Sequence, residues 1–490
     1  MILLYFYCRV VIVLKKSLVL LLCFFSSIAN SVNSLPEIGT VGASALTIDQ
    51  EREYGWAFKL MANQSLPIIY DPVLNYYINN LGQNLVSHAD SVRMPFNFFL
   101  IEDSEINAAA FLGGNVKIHT GLFLYAQSES ELASVIAHEI AHITQRQLAR
   151  MLEQQSIRNP TSMAAMAGSI LLTLVSPAAG MAALTTTMAV SMQSQINYTR
   201  ENEYEADRLG IKTLLDAGYD PNGMAQFFGK LAEKYKYASL PPQMLSTHPL
   251  PETRLAEARL RASQYPSKNY SNSLDYQLSK VRITVRFNNI TPSAAINLYE
   301  RQLKNQQYQI KEAALYGLAL AHFKDKHYLQ AQELIDGLLA RQPDNLFYID
   351  LAADVALAVK KPEAIINRLL LLYKRSPDNP VYTINLVAAL QENKQYVQAE
   401  KILELFIRSH PQHILAQIIA IDLYKLLKNR AKEHFSKAQY LALQGRFKEA
   451  TQEIGSALIY TENPLDQARY TATMARYQKD ELRLEALKNK

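Results

Sequence analysis

Prolines at positions 343, 377 and 411 are spaced 34 residues apart, and their surroundings repeat with them: Arg341-Gln-Pro343-Asp-Asn, Arg375-Ser-Pro377-Asp-Asn and Ser409-His-Pro411-Gln-His. Small or apolar residues keep the same register at Ala331, Ile365 and Ala399. A short unit of helix-forming residues cannot bury its apolar stripe alone, so copies of it must stack on one another. Proline punctuates each unit because it cannot continue a helix. From about residue 278 onward the chain therefore reads as a stacked helical array, with a bundle carrying coincidental prolines as the alternative. The block Gly445-Arg-Phe-Lys-Glu-Ala450, followed by Ala457, looks like one more unit but is out of phase with the prolines. That predicts an irregular fourth repeat.

A helix-pair period of 34 is that of the tetratricopeptide repeat, whose arrays curve into solenoids and hold extended partner segments on the concave side. The length of 490 residues leaves room for one or two further domains in front of it. With only 17 Gly and 19 Pro, the whole chain is expected to be mostly helical. Apolar residues at 49% and charged residues at 19% exclude a disordered tail, a fibre and a multi-span membrane protein. The formal charge of +5 includes Arg9, Lys15 and Lys16 at the N-terminus, and without these three the balance is 47 basic against 45 acidic groups. No nucleic-acid footprint is present in such a balance.

Residues 18–28 form an apolar run preceded by Lys15 and Lys16 and followed by Ala29, Asn30 and Ser31. This is the layout of a secretory signal, expected to span residues 1–31 with cleavage near Ser31. The run is too short to cross a bilayer, which needs about 20 residues. Because a second apolar stretch precedes it, an inner-membrane anchor over residues 1–29 is the alternative. Both cysteines, Cys8 and Cys23, lie in this segment. The exported chain would then contain no cysteine, so a metal site in it must use His, Asp and Glu, and no disulfide supports the fold.

Residues 32–265 form the expected front domain, and the polar stretch 266–275 (PSKNYSNSLD) a linker to the array at 276–490. Within the front domain, residues 128–155 read as one long helix, with Ser128 as N-cap and Glu131 completing a capping box. In its middle stands His138-Glu139-Ile140-Ala141-His142. Two imidazoles four residues apart share a helix face and can share one zinc ion, with Glu139 beside them as a proton acceptor. With 10 His among 490 residues, chance supplies this pattern roughly 0.01 times per chain, so two unrelated core histidines are a poor explanation. A catalytic zinc needs a third protein ligand. The acids of Arg200-Glu-Asn-Glu-Tyr-Glu-Ala-Asp207 supply it: Glu203 and Asp207 share a face, so one can bind the metal while the other accepts the free N–H of a ligating imidazole. Glu201 and Glu205 read as solvated surface acids.

Two further segments flank this centre. Asn115 to His119, after the Gly113-Gly114 turn, reads as an edge strand on which an extended substrate could add, with His119 exposed. Residues 159–199 carry no charge and hold five methionines, at 163, 166, 181, 188 and 192. They are expected to form either two ordinary core helices or a lid or peripheral membrane-contacting flap beside the site.

His138-Glu139-x-x-His142 followed by Glu203-x-x-x-Asp207 resembles peptidase family M48 of the gluzincin metalloproteases. The similarity extends to Leu85-Val-Ser-His-Ala-Asp-Ser-Val92, Phe98-Phe-Leu-Ile101, Asn107-Ala-Ala-Ala-Phe-Leu-Gly-Gly-Asn115, Gln145-Arg-Gln-Leu-Ala-Arg150, Glu205-Ala-Asp-Arg-Leu-Gly210 and Ser246-Thr-His-Pro-Leu-Pro-Glu252. The resemblance implies an α+β zincin-type domain followed by an all-α tetratricopeptide solenoid. It implies one Zn2+ per chain held by His138, His142 and Glu203, with Glu139 as general base and Asp207 behind His138. It further implies that His248 approaches the metal from a loop as a fourth, resting-state ligand. The function implied is a periplasmic zinc endopeptidase, with chaperone character, acting on unfolded or stalled outer-membrane β-barrel proteins and meeting the outer-membrane assembly machinery through its repeats. A repeat adaptor with a latched, inactive protease site is the competing expectation.

Overall fold

The computed structural model describes residues 46–158, 192–236, 244–245, 248–266, 268 and 270–488. The expected signal lies outside these residues, as does the uncharged segment 159–199 apart from the helical backbone from Met192 on. No helix among the described residues is long and apolar enough to cross a membrane.

The first part is α+β. Helix α1 (Ile48–Ser65) starts at a capping box in which Thr47 and Gln50 satisfy each other's backbone N–H. Helix α2 (Pro72–Ser87) starts at Asp71, whose Oδ1 accepts from the N–H of Val73 and Leu74, with Pro72 in the first turn. Val73, Leu74, Tyr77, Ile78, Leu81 and Leu85 recur at helical spacing and are buried, so α2 lies in the core. Three strands follow, β1 (Asn97–Ile101), β2 (Ala108–Phe111) and β3 (Asn115–His119), in the order β1-β3-β2. β1 runs parallel and β2 antiparallel to β3, which is thus the central strand. Gly113 and Gly114 take φ of 71° and 78° to turn β2 into β3. A Cβ on Gly55 of α1 would lie 2.4 Å from Gly113 Cα, so α1 crosses this turn at a distance only glycine allows.

Two expectations change here. Asn115–His119 is not an edge strand; β2 is the edge. His119 is not exposed: its side chain is buried at the end of β3, 3.4 Å from Asp103, and burial followed by the charge of Lys117 lowers its pKa to about 4.

After the short helix α3 (Thr120–Tyr125) come α4 (Glu129–Thr144) and α5 (Gln147–Arg158). The single helix expected over 128–155 is thus broken. Arg146 takes a left-handed φ of 50°, and its guanidinium is buried against Glu51 and the Leu46 carbonyl, contacts that hold the kink. The expected capping box is also modified: Ser128 accepts from Glu131 N–H, but the Glu131 carboxylate reaches back to the N–H of Gln127 and to Lys230. Helices α6 (Met192–Asp216), α7 (Gly223–Tyr235) and α8 (Glu252–Ser263) complete this part, with α6 and α7 packed along α4.

The remainder is twelve helices in antiparallel succession: α9 (Leu274–Phe287), α10 (Pro292–Lys304), α11 (Lys311–Lys324), α12 (Tyr328–Arg341), α13 (Leu346–Ala358), α14 (Glu363–Arg375), α15 (Pro380–Glu392), α16 (Tyr396–Ser409), α17 (Ile414–Leu426), α18 (Arg430–Leu443), α19 (Phe447–Ile459) and α20 (Pro464–Lys488). Pro343, Pro377 and Pro411 lie in the turns between one hairpin and the next. The turns inside the hairpins carry Lys326, Lys360, Lys394 and Lys428, all at φ between 56° and 63° and each 34 residues from the last. After α18 the proline turn is replaced by Gly445 at φ 72°, which puts the last hairpin out of phase.

The two parts are not joined by the linker alone. One hydrophobic core runs from Ile69 in the first part to Tyr424 in the array. Helices α13 and α15 are buried on nearly all sides because α2 packs against them. The faces on which an open array would hold an extended partner are here partly covered by the chain's own α2. A buried charge network fastens the contact: Arg282 donates from Nε to Asp71 Oδ2 (2.8 Å), from Nη1 to Tyr316 Oη (2.8 Å) and from Nη2 to Asp350 Oδ2 (2.6 Å). At the far end of the array, Trp56 of α1 stacks on Phe447, and Arg483 of α20 lies 4.1 Å over the Trp56 ring while pairing with Glu53. The array therefore embraces the first part from both ends.

Candidate metal centre

Helix α4 is buried on almost every side, which fixes the rotation of its polar residues. His138 and His142 point from it toward Glu203 on α6, and His248 enters from the segment leading to α8. Each of these four residues offers one donor atom, and all four atoms lie within 4.8 Å of one another. His138 Nε2 is 2.9 Å from His142 Nε2, 3.3 Å from Glu203 Oε2 and 3.3 Å from His248 Nδ1. His248 Nδ1 is also 3.0 Å from Glu203 Oε1.

The other ring nitrogens fix the tautomers. His138 Nδ1 lies 3.0 Å from Asp207 Oδ1, and His142 Nδ1 lies 2.5 Å from Gln147 Oε1, both acceptors. Each imidazole can thus keep Nε2 free as a lone-pair donor toward the shared centre. Gln147 is held in turn by donating to Glu205 Oε2 (3.0 Å) and to the Asn202 carbonyl (3.1 Å). Glu205 also pairs with Arg150, so it is a partnered support of this chain of contacts and not the free surface acid expected of it. Glu201 is exposed.

Sequence reasoning missed Arg254. This residue is 2% exposed, and its guanidinium donates from Nε and Nη2 to the two Asp207 oxygens (2.7 Å each). From Nη1 it reaches Glu203 Oε2 (2.8 Å) and the Pro249 carbonyl (2.7 Å). One side chain therefore ties the acid behind His138, the acid in the donor cluster and the segment bearing His248. Nothing in local spacing marks it.

Glu139 is 1% exposed and accepts the N–H of Ala110, on the edge strand β2, at Oε2 (2.8 Å). Its Oε1 has no hydrogen-bond partner and faces His248 Nε2 at 3.6 Å. Burial raises its pKa above the ordinary carboxylate value. The cluster demands positive charge. Burial opposes a charge on His138, yet hydrogen bonds to Asp207 and Glu203 push its pKa up to about 10. For His142, burial and then the neighbouring His138 lower it to about 3, so the second imidazole stays a neutral donor. Burial would raise the pKa of Glu203, but its bonds to His138 and His248 hold it far below the usual range. Two imidazoles, a carboxylate and a third imidazole converging on one point, with a deficit of positive charge, fit a divalent metal ion.

Residues 72–262 match peptidase family M48. A Vibrio cholerae protein is 44% identical over 451 residues, covering 92% of this chain and 93% of its own. The β-barrel assembly-enhancing protease of Escherichia coli K12 is 41% identical over 470 residues, covering 94% of this chain and 96% of its own. Among solved structures, a tetratricopeptide repeat protein from Parabacteroides merdae covers 52% of this chain and 99% of its own at 13% identity, with a TM-score of 0.29. The repeat assignment rests on the helix pairs and their period, not on that likeness. The chain is a metalloprotease and belongs to peptidase family M48, alongside the β-barrel assembly-enhancing proteases.

Proposed function

We propose that this chain is a periplasmic zinc endopeptidase that cleaves unfolded or stalled outer-membrane β-barrel proteins. The convergence of His138, His142, Glu203 and His248, with Glu139 buried beside them, carries the reading. The names of the relatives support the client class, and the secretory layout of residues 1–31 supports export. His138, His142 and Glu203 would hold the zinc, which when bound supplies Lewis acidity toward a peptide carbonyl and its attacking water. Asp207 and Gln147 keep the two imidazoles oriented through their Nδ1–H groups. Glu139, fixed at Oε2 by the Ala110 amide and free at Oε1, takes the proton of the attacking water and returns it to the leaving amine. Since the Ala110 N–H points away from β3, the outward backbone of β2 runs past this base, and an extended substrate adds there as a further strand.

His248 gives the site its resting state. Its Nδ1 sits among the donors, where it serves as a fourth ligand and occupies the position a water or substrate oxygen needs. The array and the assembly machinery it meets then supply clients, and residues 159–199 form the lid or membrane contact. This geometry also favours a second reading, a chaperone or adaptor whose protease is held latched. Comparing rescue of a null strain by wild type and by Glu139→Gln separates them. Loss of rescue supports the protease, and full rescue by the variant supports the adaptor.

A further inference from the structure

Behind His248 lies a feature that the proton transfers do not use. Val135 of α4 and Met224, Phe228 and Leu231 of α7 form an apolar wall that meets the donor cluster at His138. All four are buried, and Met244, Leu245 and Leu250 cover them. These covering residues belong to the same segment as His248, so that only about 10 Å³ of space remains beneath it.

The geometry has a mechanical consequence. His248 cannot leave the donors without shifting the residues four and three positions before it and two after it, which are the cover. Opening the centre therefore bares four large apolar side chains directly beside it. A contiguous bare patch of this kind is unfavourable in water, and one beside a reactive centre is normally a binding surface. The open state persists when another apolar group takes the vacated place.

We infer that the Val135–Met224–Phe228–Leu231 wall is the subsite for a large apolar side chain flanking the scissile bond, and that Met244, Leu245 and Leu250 are its resident occupants. The inference rests on the metalloprotease reading of the same site. A substrate residue such as Leu, Met, Phe or Tyr fills the subsite and in doing so displaces the segment that carries His248. Selection and unlatching are then one event. Strands of outer-membrane barrels present apolar, lipid-facing residues at alternate positions, so an unfolded barrel chain offers such a residue repeatedly, on extended backbone.

The test uses the full-length, zinc-loaded protein with an unfolded β-barrel protein, and cleavage sites mapped by mass spectrometry. Large apolar residues should be enriched at one of the two positions flanking the cut, and Met224→Ala should shift the preference toward larger side chains while Met224→Leu leaves it unchanged. Leu245→Ser should raise cleavage several-fold at unchanged zinc content. Absence of enrichment at both positions, or enrichment unmoved by Met224→Ala, overturns the inference. Should Met224→Ala not fold, calorimetry on Glu139→Gln with two hydroxamate peptides, one bearing Leu and one Gly next to the chelating group, decides. The Leu peptide should bind at least about 10-fold tighter; equal affinities overturn the subsite alone, and no binding of either peptide overturns the metalloprotease reading together with it.

Discussion

Replacing Arg254 by methionine is the sharpest perturbation of the centre that leaves every donor in place. Methionine keeps much of the side-chain volume but removes two bonds to Asp207, one to Glu203 and one to the Pro249 carbonyl. Breaking a buried ion pair from one side costs about 3–5 kcal/mol, because the remaining carboxylates stay buried without their cation. A bound divalent ion compensates part of the charge at Glu203 but does not touch Asp207. The loss should therefore appear twice: a lowered unfolding midpoint, and a zinc affinity weakened about 10- to 100-fold through the disturbed Asp207–His138 contact. Arg254→Lys should fall between, since a single ammonium cannot serve both Asp207 oxygens and Glu203 together. Zinc affinity is read by competition with a fluorescent chelator, and stability by urea unfolding with and without metal. Wild-type zinc affinity and wild-type midpoint in Arg254→Met would refute the role assigned to this residue.

Other consequences follow from the same contacts. Arg282→Met strands Asp71 and Asp350 between the two parts and should cost about 3–5 kcal/mol in urea unfolding, with hydrogen exchange rising first in α2, α13 and α15; protection unchanged in these helices would contradict the network's fastening role. Burial alone would raise the pKa of Asp71, but Arg282 and Arg286 hold it below the ordinary value, so its stabilisation is complete above about pH 3.9 and is lost as pH falls through the lower folded value. Asp71→Asn should accordingly unfold with less acid dependence below about pH 4 than wild type. Gln147→Leu removes the acceptor for His142 Nδ1–H and should weaken zinc binding about 10-fold or more in the chelator assay, while leaving the helices unchanged by circular dichroism.

Much of the centre was legible because its chemistry is written at helical spacing. His138, Glu139 and His142 share one helix, and Glu203 and Asp207 another, so residue type and period alone bring out the pattern. Arg254 was not legible, because its partners lie 47 and 51 residues away and only the packing of α8 on α6 brings them together. The break at Arg146 escaped for a similar reason: the contacts that hold it come from Glu51 and Leu46, far back in the chain. β3 read as an edge strand because strand order is set by pairing, which one strand's sequence does not carry. In the array, proline spacing exposed the hairpin boundaries, and the same 34-residue comb applied to lysine would have found the inner turns at Lys326, Lys360, Lys394 and Lys428. No local pattern could reveal that α2 packs on α13 and α15, since an apolar stripe names no partner.

The central claim, a zinc protease latched by His248, is tested most directly by measuring zinc content and cleavage of an unfolded substrate for purified wild type, Glu139→Gln and His248→Ala. One zinc per chain is expected in all three, with cleavage by Glu139→Gln reduced about 10²- to 10⁴-fold and cleavage by His248→Ala raised above wild type. Undiminished cleavage by a pure Glu139→Gln preparation, or a His248→Ala protein that binds zinc and cleaves no faster than wild type, would contradict it.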